Sequence, residues 1–73
     1  MNYVILFNSV HFVMKAEKAL KGKGISVQLI PVPRQFSSDC GMAIKIKEDD
    51  IEIVKKMLEK ENYKVEGIHK LTE

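Results

Sequence analysis

Only one cysteine, Cys40, stands among the 73 residues. A lone thiol cannot close an intramolecular disulfide, and no CxxC spacing is present to grip a metal. A reducing, cytoplasmic setting is therefore expected. An excess of charge is missing too. Twelve basic and ten acidic residues leave a net charge of +2, too balanced to point to nucleic acid. Long apolar runs are also lacking. Tyr3-Val4-Ile5-Leu6-Phe7 is too short to cross a bilayer. No basic segment precedes it and no small-residue cleavage site follows promptly, so neither a signal peptide nor a membrane span is expected.

The short length bounds the fold. A single domain over 1–73 is expected, burying only about 60% of the surface that its unfolded form exposes. Without disulfides, stability has to come from tight packing or from oligomerisation. The hydrophobic share, 45%, argues against disorder.

Periodicity then orders the chain. Tyr3 to Phe7 is β-branched and aromatic without polar alternation, which predicts a central strand buried on both faces. Asn8 or Ser9 can cap a helix over Val10 to Lys21, whose buried stripe is Val13, Ala16 and Leu20. Gly22 and Gly24 end it, one of them in the left-handed conformation. Ile25 to Ile30 alternates as a strand, and Pro31 and Pro33 place that strand at a sheet edge. Met42, Ile44 and Ile46 alternate with Ala43, Lys45 and Lys47 in a third strand. Glu48-Asp49-Asp50 opens a second helix, with Asp49 and Glu52 spaced as a capping box. Its buried stripe is Ile51, Val54 and Leu58, and Asn62 can cap its end. Lys64 to Leu71 reads as the last strand. The order βαββαβ predicts an α+β, ferredoxin-like sandwich, with an antiparallel sheet in strand order 4-1-3-2 and both helices on one face. The other face would expose either Val4 and Leu6 or Tyr3, Ile5 and Phe7 on its central strand. Such a face invites a homodimer.

Both prolines and the cysteine fall in one stretch, Pro31 to Gly41. The predicted topology puts this loop at the same end of the sheet as Ser9, Val10 and His11. A cysteine acts as a nucleophile through its thiolate, which needs exposure and positive potential. Arg34 supplies a fixed charge, the start of the first helix a partial one, and Gly41 allows close approach. Asp39 works against the thiolate. His11 is a candidate base or positive neighbour. Ser37 and Ser38 suit loop backbone or an anion, while Pro31, Pro33 and Phe36 stiffen and anchor the loop. The bland alternative for Cys40 is an inert core thiol, and for the lysines a solvated face. Cys40, His11 and Asp39 would hold a metal only by converging, and no spacing supports that; no metal and no cofactor is expected.

The residues Leu29-Ile30-Pro31-Val32-Pro33-Arg34, then Ser37-Ser38, then Cys40-Gly41, resemble the small selenium/sulfur carrier-like family. The segment from His11 to Leu20 resembles that family's first helix, and Tyr3 to Phe7 its first strand. The resemblance implies that Cys40 holds sulfur or selenium as a persulfide or selenosulfide. The atom would come from a donor such as a cysteine desulfurase and pass to an acceptor protein. Pro31, Pro33, Arg34 and Gly41 would shape the carrier loop. Asp39 departs from the small uncharged residue expected beside the cysteine. A carrier or binding protein is favoured over a conventional enzyme. The alternative is a module that binds a small anion or a partner through Arg34, Ser37, Ser38 and Gly41, with Cys40 incidental.

Overall fold

The computed structural model describes residues 1–36 and 41–71. The elements run β1 (Asn2–Phe7), α1 (Val10–Gly22), β2 (Val27–Pro31), β3 (Met42–Lys47), α2 (Ile51–Lys60) and β4 (Val65–Leu71). A short 3-10 turn, Glu48–Asp50, leads into α2. The strands form one sheet in the order β2-β3-β1-β4, with every neighbouring pair antiparallel. This is the predicted ferredoxin-like arrangement. The two central strands are β1 and β3, and the proline-ended β2 lies at an edge as its missing ladder donor requires.

Each helix is built as its residues direct. The Ser9 side chain accepts a hydrogen bond from the Phe12 N–H at 3.4 Å and so caps α1. At the other end, Gly24 takes φ +79°. Its N–H donates to Lys21 C=O at 3.0 Å and the Ile25 N–H donates to Leu20 C=O at 3.1 Å, which is the Schellman closure. That closure takes up the Ile25 amide, so β2 starts at Val27 rather than at Ile25. The end of α2 repeats the device with Asn62 at φ 56°. Asn62 N–H donates to Glu59 C=O and Tyr63 N–H donates to Leu58 C=O.

The start of α2 differs from the sequence expectation. No capping box forms: the N-cap is Asp50, and its side chain makes no capping bond. A capping residue needs extended backbone, but Asp50 sits at φ −98°, ψ −4° within the 3-10 turn. The acidic residues Glu48, Asp49 and Asp50 still lie at the positive end of the helix.

The core lies between the sheet and the two helices. Ile5, Phe7, Ile44 and Ile46 from the central strands pack on Val13, Ala16 and Leu20 of α1 and on Ile51, Val54 and Leu58 of α2. Tyr3, Val27, Leu29, Val65 and Ile68 border them. The helix stripes are those that the 3.6-residue spacing predicts.

The strand registers decide which residues face away from the helices. Val4 pairs with Lys45 and His69, and Leu6 pairs with Ala43 and Gly67. The helix-free face therefore carries Val4 and Leu6 at its centre. It is not left bare, however. Val4, Leu6 and Ala43 are 0%, 3% and 0% exposed, because Ile30, Val32 and Phe36 pack over them. The centre of this apolar face is covered by the end of β2 and the loop that follows it. Among the described residues no helix is long and apolar enough to cross a membrane.

Candidate functional site

The loop after β2 is tied at its base. Pro31 pairs with Met42 at the last rung of the ladder, and Val32 N–H donates to Gly41 C=O at 3.2 Å one step beyond. Since β3 runs antiparallel to β1 with Ala43 opposite Leu6, the base sits at the sheet end where β1 leads into α1. That is the placement the topology predicts. Gly41 adopts φ +74°, a left-handed conformation that disfavours side chains.

From the base, the first arm of the loop turns onto the helix-free face. Val32 packs on the Val4, Leu6 and Ala43 cluster. Phe36 N–H donates to Pro33 C=O at 3.0 Å, closing a turn with Arg34 and Gln35 exposed at its corner. Phe36 then lies on the same cluster, as its apolar ring predicts. It goes further and stacks on the His69 imidazole of β4, with ring centroids 4.3 Å apart and planes inclined by 14°.

His69 itself is shaped by a glycine. A Cβ at Gly67 would come within 2.8 Å of the His69 Nε2, so the ring as it lies across the strand occupies space that a side chain at 67 would make it yield. Leu6, Gln35, Phe36, Glu66 and His69 surround an open cleft of about 360 Å³ beside this stack. The histidine that contacts the described part of the loop is thus His69. Sequence reading had little reason to single it out; the one available signal was Gly67 inside a strand, two residues before it on the same face.

His11 sits elsewhere. It is exposed on the first turn of α1, its ring edge-on to Phe12 at 5.7 Å. Phe12 in turn meets Tyr63 edge-on at 6.4 Å, and the Lys15 Nζ lies 5.9 Å from the Tyr63 ring centre. Phe12 and Tyr63 border the helix-side core, on the opposite side of the sheet from Phe36. Burial lifts the Tyr63 phenol pKa above its ordinary value, and the Glu61 carboxylate adds to the rise.

Ser37, Ser38, Asp39 and Cys40 lie outside the described residues. Of the other loop residues singled out in the sequence, Pro31, Arg34 and Gly41 are exposed and Pro33 is half-buried. Among the described residues no three His, Cys, Asp or Glu side chains are grouped to hold a metal.

No curated protein and no solved structure matches the chain significantly. The family described as "Putative Se/S carrier protein-like" matches residues 2–70, which runs from the start of β1 through the whole loop and into β4, short only of its last residue. The chain belongs to this Se/S carrier protein-like family.

Proposed function

We propose that the chain is a carrier of sulfur or selenium and that Cys40 is the residue that holds the atom. Family membership over residues 2–70 is the observation that carries this reading. The loop base supports it: Val32 and Gly41 tie the two ends together, which gives the intervening residues a fixed platform on the sheet.

The chemistry balances without an added oxidant or reductant. The Cys40 thiolate attacks the outer sulfur of a donor persulfide. A new S–S bond forms at Cys40 while the donor's own S–S bond breaks, and the donor cysteine leaves as a thiolate with the bonding pair. An acceptor thiolate then repeats the displacement on the Cys40 persulfide and restores the Cys40 thiolate. A donor carrying selenium gives a selenosulfide by the same exchange. No second cysteine in the chain is required, because release goes to another protein.

In this scheme a cysteine desulfurase is the donor and a second protein the acceptor. Arg34, Ser37 and Ser38 contact the partner or its anionic groups, and Pro31, Pro33 and Gly41 shape the loop. His11 is a candidate base or positive neighbour from the first turn of α1. The exchange takes place in the cytoplasm, in a protein of one domain. A second copy that docked on the helix-free face would meet Val32, Phe36 and His69 before Val4 or Leu6.

The test is intact-protein mass spectrometry after incubating the reduced protein with a cysteine desulfurase and cysteine, beside Cys40→Ser. The expected result is the gain of a single sulfur on wild type alone. No gain, with Cys40 readily alkylated, would overturn sulfur carriage from this donor class.

A further inference from the structure

Phe36 reaches an unexpected partner. The loop connects β2 to β3, on one side of the sheet, while His69 belongs to β4 at the opposite edge. Adjacent strands are about 4.8 Å apart, so the arm has to pass over β3 and β1 to reach that ring. Its route is visible in burial: Ala43 of β3 and Val4 and Leu6 of β1 are the residues covered. The route ends at the stack of the two rings. The Phe36 backbone is fixed by the turn to Pro33, and the His69 ring lies over Gly67, where any larger residue would meet it.

We propose that His69 is a positioning residue, which through its stack on Phe36 sets the course of the loop arm leading to Cys40. This rests on the carrier reading for its function, though not for its geometry. An aliphatic side chain at 69 would cover the same apolar surface. A flat ring lying parallel to Phe36 does more, since it fixes the inclination of the Phe36 ring as well as its location. A group passed between proteins has to be presented in a narrow range of orientations, and displacements of about 1 Å are enough to slow transfer strongly. The open cleft between Gln35, Glu66 and the stack leaves room beside the arm for a partner's side chain.

Three variants test this: His69→Ala removes the ring, His69→Phe keeps a flat ring without the imidazole, and Phe36→Leu keeps apolar cover without the stack. Two measurements do not depend on sulfur chemistry. Amide hydrogen exchange at Phe36 reads the docking of the arm, and iodoacetamide alkylation reads Cys40. His69→Ala and Phe36→Leu should speed exchange at Phe36 at least fivefold and shift the alkylation rate at least threefold, with core amides of β1 and β3 unchanged. His69→Phe should restore both to near wild type. The rate of sulfur uptake from the desulfurase should follow the same order. Exchange and alkylation equal to wild type in His69→Ala would overturn the proposal. So would faster exchange at Phe36 with alkylation and uptake unmoved. If wild type takes up no sulfur, the carrier reading fails alone, and exchange and alkylation still decide the role of His69.

Discussion

Gly24 and Gly41 share a backbone conformation, with φ +79° and +74°, and neither would bring an added Cβ within 4 Å of another group. Alanine at either position therefore meets a backbone cost without a clash, about 1 kcal/mol. Urea unfolding should show a similar loss for Gly24→Ala and Gly41→Ala. Only the second should also change Cys40 alkylation, because Gly41 closes the loop base through Val32. Equal alkylation in the two variants would mean that the base does not govern the loop. Tyr63 provides a prediction in pH. Its folded pKa is raised by burial and by Glu61, so the folded chain favours the neutral phenol. The associated stability is fully present below the ordinary phenol value, about 10, and is lost as pH rises through the higher folded value. Alkaline absorbance titration should show one late-ionising phenol that disappears in Tyr63→Phe. A titration curve unchanged by the substitution would contradict the assignment.

Elements differ in how much of them a sequence can display. Val13, Ala16 and Leu20, and again Ile51, Val54 and Leu58, recur at helical spacing because each helix has a single core to face; both stripes were legible. The prolines likewise disclose that β2 is an edge. β1 is different. It is buried on both faces, so its residues do not alternate, and its pattern could not say whether Val4 and Leu6 or Tyr3, Ile5 and Phe7 would face the helices. Asp49 and Glu52 had the spacing of a capping box, but the 3-10 turn gave Asp50 a helical backbone and left the device unused. In the loop, the positive φ of Gly41 and the packing of Phe36 follow from residue type. The partnership of Phe36 with His69 does not, because it depends on β4 lying beside β1, a pairing between distant parts of the chain. Local pattern is silent on such contacts. For Cys40 the argument rests on sequence and family, since it lies outside the described residues.

At the scale of the molecule, two layers of helix and sheet are joined by a partial third. Val32 and Phe36 form that third layer over Val4, Leu6 and Ala43. Phe36→Ala should open it. The half-buried ring contributes about 1–2 kcal/mol, below the 3–5 typical of a fully buried phenylalanine. The exposed apolar face should then promote self-association. Sedimentation equilibrium over a concentration series would show a higher mean mass for the variant than for wild type. Equal masses throughout would mean that this face has no tendency to pair. The chain order of the stack has a consequence for biosynthesis. Phe36 is made before His69, which belongs to the last of the described strands in chain order. Until that strand joins β1, the aromatic ring has no imidazole on which to rest. In a nascent chain the stack can therefore form only once β4 exists to pair with β1, so its presence marks a completed sheet.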